Sequence, residues 1–150
     1  MKFIILDSTP LALIVHRQGF QPAVDCRAWL AKHMASGVRV MVPEVVDYEV
    51  RRELLRIGLT RSIVALDEFC GAESDRYIRI TSVAMRRAAE LWAEARRLGK
   101  PTADPHALDV DVILAAQALS AGLDPAEFVV ATSNVTHLSQ FVSAARWESI

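Results

Sequence analysis

Phe3-Ile4-Ile5-Leu6-Asp7-Ser8-Thr9-Pro10 is the stretch that decides the fold of this 150-residue chain. Its first four residues form a short, continuous apolar run that includes two isoleucines, which suits a strand buried on both faces of a parallel sheet. Asp7 stands where that strand ends. Ser8 or Thr9 followed by Pro10 predicts an N-cap with proline at the first helical position, opening a helix from about Leu11 to His16. A strand that ends in Asp and turns into a capped helix places a side chain at the carboxyl edge of an open α/β sheet, where such sheets bind ligands. Ser8 and Thr9 can supply the cap, so Asp7 is available for another task.

The rest of the chain repeats the alternation. Ala23 to Ala35 carries Val24, Trp29, Leu30 and Met34 in helical rhythm, and Val38 to Val42 is a second buried strand. Pro43 opens a helix from Glu44 to Arg56 with Val46, Val50, Leu54 and Ile57 as its core stripe and Gly58 closing it. At roughly 100° per residue, Glu49 and Glu53 fall at the edge of that stripe, while Glu44 and Asp47 point further out. Thr60 caps a helix to Cys70 that carries Ile63, Val64, Leu66 and Phe69. Tyr77 to Ile80 reads as a strand, and Thr81 or Ser82 caps a long amphipathic helix from Val83 to Leu98. Phe128 to Ala131 is a further strand, Thr132-Ser133-Asn134 the turn after it, and Arg146 to Ile150 a last edge strand. Strands separated by helices throughout predict one α/β domain over 1–150, with a central parallel sheet of about four to five short strands flanked by helices.

Composition narrows the function classes without choosing one. About half of the chain is apolar (52%) and the formal net charge is only −1, so it is no polycation, and any nucleic-acid contact must come from local patches. Two such patches exist: Arg51, Arg52, Arg56 and Arg61, and Arg86, Arg87, Arg96, Arg97 and Lys100. Glutamates interspersed at helical spacing offer a plainer account of both, as solvated helix faces. Cys26 and Cys70 lack the spacing of a metal site and read as buried thiols, and the histidines at 16, 33, 106 and 137 form no HxxxH pair. The opening apolar run is too short for a signal peptide and no run approaches membrane-spanning length, so the expectation is a soluble, cytoplasmic protein.

Residues 104–119, Asp104-Pro105-His106-Ala107-Leu108-Asp109-Val110-Asp111-Val112-Ile113-Leu114-Ala115-Ala116-Gln117-Ala118-Leu119, set carboxylates into an almost wholly apolar segment. Such a helix is buried on most of its circumference, and ionised carboxylates there are costly without compensating positive charge or a helix N-terminus. Two helix starts compete, Asp104 with Pro105 behind it, or Asp109 with Asp111 in the first turn. The second explains more, because Asp109 and Asp111 would diverge by roughly 200° inside a helix but can reach one space at its start.

The order of these signals, Leu6-Asp7-Ser8, Pro43 with Glu49, Asp111 to Ala118, and Val130-Ala131-Thr132-Ser133-Asn134, resembles the PIN-domain ribonucleases, most closely the VapC-type toxins of toxin-antitoxin modules. The resemblance spans essentially the whole chain. Its most specific part is the helix start Asp111-Val112-Ile113-Leu114-Ala115-Ala116-Gln117-Ala118. It implies a three-layer PIN-like domain and a Mg²⁺- or Mn²⁺-dependent endoribonuclease. It further implies that Asp7, Glu49 and Asp111 are the catalytic acids, with an RNA substrate, a cognate antitoxin and a homodimer formed through the early helices. Where that family often has a fourth acid, this chain has Asn134, a neutral ligand, which leaves one-metal and two-metal action open; Asp109 is an extra acid that can make up the difference.

The residue types agree with that chemistry on their own terms. Hard divalent cations take oxygen ligands, and phosphodiester cleavage needs an activated water and charge neutralisation at the leaving oxygen. The expected roles are Asp7 and Asp111 as principal metal ligands, Glu49 as a ligand through water or an orienter of the attacking water, and Asp109 and Asn134 as supporting ligands. Ser8 and Thr132 are expected to hold those ligands in place, and Arg51, Arg52 or Arg96 to bind substrate phosphates. A catalytically silent PIN-fold protein that binds RNA or a partner protein is the competing expectation. A phosphoryl-transfer enzyme with Asp7 as nucleophile is weaker, since no second Asp follows two residues on.

Overall fold

Strand β1 (Phe3–Leu6) lies at the centre of a five-stranded sheet because its side chains are apolar in both directions, and Ile4, Ile5 and Leu6 are wholly buried. Each such side chain removed from water contributes about 1.5–3 kcal/mol. The computed structural model describes residues 1–17, 19–100 and 109–150. Its other strands are β2 (Arg39–Pro43), β3 (Tyr77–Ile78), β4 (Phe128–Thr132) and β5 (Ala144–Arg146). Their order is β3-β2-β1-β4-β5, every neighbouring pair is parallel, and Phe3 aligns with both Arg39 and Phe128. The expected α/β class with a central parallel sheet is therefore what the chain forms.

Helices α1 (Ser8–Val15) and α2 (Gln21–Ala35) join β1 to β2, and α3 (Glu44–Ile57) and α4 (Thr60–Gly71) join β2 to β3. The return to β4 carries α5 (Ser82–Arg97) and α6 (Val110–Leu119), and α7 (Val135–Leu138) precedes β5. With right-handed crossovers as the rule for parallel strands, this strand order assigns α1 to α4 to one face of the sheet and α5 to α7 to the other. Helix α1 touches α2, α3 and α4, and α6 packs on α5 and α7, while α3 also meets α6. Helix α6 is buried without a break from Val112 to Ala118, as its unbroken apolar run requires. Asp7, Pro43, Ile78 and Thr132 mark the carboxyl ends of four parallel strands, so one edge of the sheet gathers their side chains.

Several boundaries differ from the sequence reading. Asp7 itself caps α1, accepting the Ser8 N–H at 2.6 Å, so the helix opens at Ser8 and Pro10 is its third residue rather than its first. Thr60 likewise falls inside α4, whose N-cap is Leu59. Ile57 leaves the core stripe of α3 and is 57% exposed, because Gly58 at φ 82 turns the chain away directly after it. Asp47 does not point outward but is buried, where it accepts hydrogen bonds from Tyr77 (2.7 Å) and Arg51 (2.9 Å). Strand β3 ends at Ile78 because the Ile80 N–H turns to the Glu44 carboxylate. The terminal strand comes early, at Ala144–Arg146, and Trp147–Ser149 is a 3₁₀ turn that seats Trp147 against Trp29. Helix α7, a single turn after Asn134, has no counterpart in the sequence reading, and the Asp104-Pro105 start lies outside the described residues.

The plainer readings of the cysteines and of part of the arginine patches hold. Cys26 is buried and Cys70 partly so, both unpaired by disulfide, and burial pushes each thiol up to about 12. Arg56 pairs with Glu53 and Arg87 with Glu90 along exposed helix faces. Among the described residues no helix is long and apolar enough to cross a membrane.

Candidate functional site

Asp7, only 5% exposed, has both carboxylate oxygens engaged. Oδ1 accepts the Ser8 backbone N–H, and Oδ2 accepts the hydroxyl of Thr132 at 2.6 Å, from the end of the neighbouring strand. Thr132 in turn accepts the Asn134 N–H at 2.8 Å, which shapes the turn out of β4. Ser8 thus supports Asp7 through its backbone, and Thr132 through its side chain. The neighbouring hydroxyls of Thr9 and Ser133 share a hydrogen bond of 2.9 Å across the same two strand exits.

Asp109 is the N-cap of α6 and accepts the Val112 N–H at 3.2 Å, so the second of the two competing starts is the one the chain uses. Asp111 follows in the first turn, where the helix N-terminus faces it favourably. Its Oδ2 receives the Asn134 amide nitrogen at 3.1 Å and stands 3.5 Å from His137 Nδ1. In this arrangement Asn134 acts as a donor to Asp111, and a role as oxygen ligand requires its amide to turn over. Burial and the negative charges of Asp7, Asp109 and Glu49 push the Asp111 carboxyl up to about 6, with the His137 ring acting the other way. Asp7, Asp109, Glu49 and Asp111, drawn from three segments of the chain, therefore lie within electrostatic reach of one another. Glu49 is partly buried, and among the described residues no hydrogen bond or ion pair engages it.

Hard carboxylate oxygens, mutually repelling and short of positive charge, are the donor set that suits Mg²⁺ or Mn²⁺. Among the described residues no three His, Cys, Asp or Glu side chains already stand around one point. Mg²⁺ keeps several waters and uses one or two carboxylates, so Asp111 with one partner meets its need. The donor chemistry thus fits a divalent cation.

The three arginines expected to bind phosphate are placed apart. Arg51 is held by Asp47 and by Asp67 (2.7 Å), and those hydrogen bonds hold its guanidinium pKa well above the ordinary value. Arg52 is exposed, its guanidinium 5.3 Å from the Tyr48 ring centre. Arg96 stacks on Trp92 at 5.0 Å near the end of α5, where Leu98 and Leu119 line a common cavity of about 210 Å³. Leu119 lies eight residues along α6 from Asp111, roughly 12 Å at helical rise, so Arg96 sits toward the opposite end of that helix. A larger cavity of about 580 Å³, lined by His16, Arg17, Ile57 and Arg61, holds no carboxylate, so charge rather than concavity marks the site. Sequence reasoning missed His137, Thr9 and Ser133; the last two flank Asp7 and Asn134 in the chain, which was the available signal.

No protein-family model and no curated protein matches the chain. Solved structures do. A chain of VapBC2 from Rickettsia felis, crystallised with a DNA fragment from its promoter, superposes with TM-score 0.66 at 15% identity over 97% of this chain and 98% of that one. A chain of VapBC-1 from nontypeable Haemophilus influenzae gives 0.64 at 15% identity, covering 97% and 98%. One of FitAcB from Neisseria gonorrhoeae gives 0.63 at 18%, covering 98% and 99%. The fold is PIN-like. The superpositions extend over nearly the full length of both chains, and identities this low speak to the fold alone.

Proposed function

We propose that this PIN-like chain is a Mg²⁺- or Mn²⁺-dependent endoribonuclease and the toxin of a two-component toxin-antitoxin module. The observation that carries the reading is the convergence of Asp7, Asp109, Asp111 and Glu49 at the carboxyl edge of the sheet, where Thr132 holds Asp7, Asn134 meets Asp111, and burial with the neighbouring acids pushes the Asp111 carboxyl up. A cluster that raises its own electrostatic energy in the resting protein is stabilised when a cation joins it. A bound divalent ion would supply an activated water and neutralise charge at the leaving oxygen of a phosphodiester. Asp7 and Asp111 would hold that ion, with Thr132 fixing Asp7 and Asn134 fixing Asp111. Glu49, which no hydrogen bond or ion pair engages among the described residues, would orient the attacking water and take its proton. Arg52, exposed on the helix that carries Glu49, binds a substrate phosphate. A cytoplasmic site of action belongs to the same reading.

The neighbours VapBC and FitAcB support a protein antitoxin as partner. A homodimer formed through the early helices belongs to the same reading and rests on the family resemblance alone. A catalytically silent module that binds RNA or a partner protein is the second reading. It is favoured by the Asn134 amide sitting on Asp111 and by the lack of three converging ligands among the described residues. Thermal melting with and without Mn²⁺, alongside cleavage of a labelled RNA by wild type and Asp111→Asn, separates the two. A Mn²⁺-dependent rise in Tm and cleavage that Asp111→Asn abolishes support the nuclease. No Mn²⁺ response together with no cleavage sensitive to Asp111→Asn leaves only the binding module.

A further inference from the structure

The chain supplies a nitrogen donor where the site otherwise offers oxygen. His137 is the third residue of α7, the short helix that opens directly after the Thr132-Ser133-Asn134 turn, and α7 packs on α6. That packing brings Nδ1 to 3.5 Å from Asp111 Oδ2, with the His137 side chain 44% exposed and the Asp111 side chain 24%. Two atoms bound to one tetrahedral ion at about 2.0–2.2 Å each are separated by roughly 3.4 Å, so the pair is already spaced as neighbouring ligands. Asn134 Nδ2 shares the same carboxylate oxygen, and the other groups bearing on it electrostatically are the carboxylates of Asp7, Asp109 and Glu49.

Resting on the metal-centre reading above, we propose that His137 and Asp111 form a mixed nitrogen and oxygen ligand pair that sets which divalent cation the site prefers. Carboxylate and water oxygens alone suit Mg²⁺ and Mn²⁺, whereas imidazole suits Zn²⁺ and other later transition metals. A site that presents both takes Co²⁺ and Zn²⁺ far more readily than carboxylates alone would. His137 is then a specificity residue for the metal.

The test titrates the untagged full chain with Mg²⁺, Mn²⁺, Co²⁺ and Zn²⁺ at a single pH and reads Tm, in wild type, His137→Gln and Asp111→Asn. The expected result is that His137→Gln raises the Co²⁺ and Zn²⁺ concentrations for half-maximal stabilisation at least tenfold, while the Mg²⁺ value changes less than twofold. The visible absorption of bound Co²⁺ gives a readout independent of stability, and it should differ between wild type and His137→Gln. An unchanged spectrum, or a shift of equal size for all four ions in His137→Gln, overturns the assignment of His137 and leaves the metal centre standing. If none of the ions stabilises the wild type, the metal centre falls and the assignment with it. His137→Ala provides a second variant should the glutamine prove poorly folded, with the same outcomes.

Discussion

The hydroxyl of Thr132 donates to the carboxylate of Asp7 across 2.6 Å, joining the carboxyl ends of two adjacent strands 125 residues apart in sequence. Thr132 is wholly buried and Asp7 nearly so, which makes this a charge-assisted bond with little water to replace it. Thr132→Val keeps the shape and removes the donor, and it also leaves the Asn134 N–H without its acceptor. The expected loss is about 2–3 kcal/mol of unfolding free energy, read by urea denaturation. A loss below about 0.5 kcal/mol would show that Asp7 does not depend on this hydroxyl.

Asp111 carries the pH dependence of the metal-free protein. Its carboxyl titrates near 6 when folded, above the ordinary value of 3.8, so between those limits the folded state binds more protons than the unfolded one. The contribution to stability is therefore present at low pH and lost as pH rises through about 6. Asp111→Asn removes that penalty and should raise the apo protein's stability at neutral pH by about 2 kcal/mol, with at most about 3 from a shift of this size. Denaturation of the metal-free protein from pH 3 to 8 checks it: wild type weakens across about pH 4 to 6 relative to Asp111→Asn, and parallel curves would rule the effect out. Adding Mn²⁺ should reverse the order of the two at neutral pH.

Gln117 is 1% exposed and serves two elements at once. Its Oε1 accepts the Val45 N–H at 3.1 Å, one of the orphan donors at the start of α3, and its Nε2 donates to the Ile78 carbonyl at 2.6 Å. It thereby ties the helix bearing Asp111 to the helix bearing Glu49. Gln117→Leu strands two buried backbone groups and should cost about 2–4 kcal/mol, measurable as a lower urea midpoint. Val45→Ala, which keeps the backbone pair and removes only methyl groups, should cost less; equal losses would assign the effect to packing alone.

What could be read in the sequence was local or periodic. The run Phe3 to Leu6 has no way to be anything but buried on both faces, and Val112 to Ala118 is apolar around the whole helix, so strand, helix and sheet class followed. Asp7, Asp111 and Thr132 sit at element ends, where chain order alone brings them to one edge of the sheet. Asp47 and His137 were misjudged or missed because their partners are distant in sequence. Asp47 is buried by Tyr77, thirty residues away, and His137 meets Asp111 only through the packing of α7 on α6. Helical angle alone puts Asp47 outside and Glu49 at the core edge, and it cannot know that β3 will cover one of them. Arg51, a phosphate-binding candidate by sequence, is engaged by a residue that sequence spacing does not reveal, since Asp67 reaches it from α4.

Asp47 and Glu49, two residues apart on α3, therefore divide structure from chemistry. Asp47 binds the Tyr77 hydroxyl and Arg51, and truncating one member of such a buried group leaves the others unpaired, so Asp47→Ala should cost about 3 kcal/mol. Glu49 has no partner among the described residues, so Glu49→Gln should leave stability within about 0.5 kcal/mol of wild type. Function should follow the opposite order. Glu49→Gln should lower Mn²⁺-dependent RNA cleavage by at least about a hundredfold, the low side of what a positioned base contributes, while Asp47→Ala retains the Mn²⁺ midpoint at temperatures where it is folded. Urea denaturation paired with a Mn²⁺ titration of both variants decides the matter. A stability loss in Glu49→Gln equal to that of Asp47→Ala would make Glu49 a structural residue and remove it from the site.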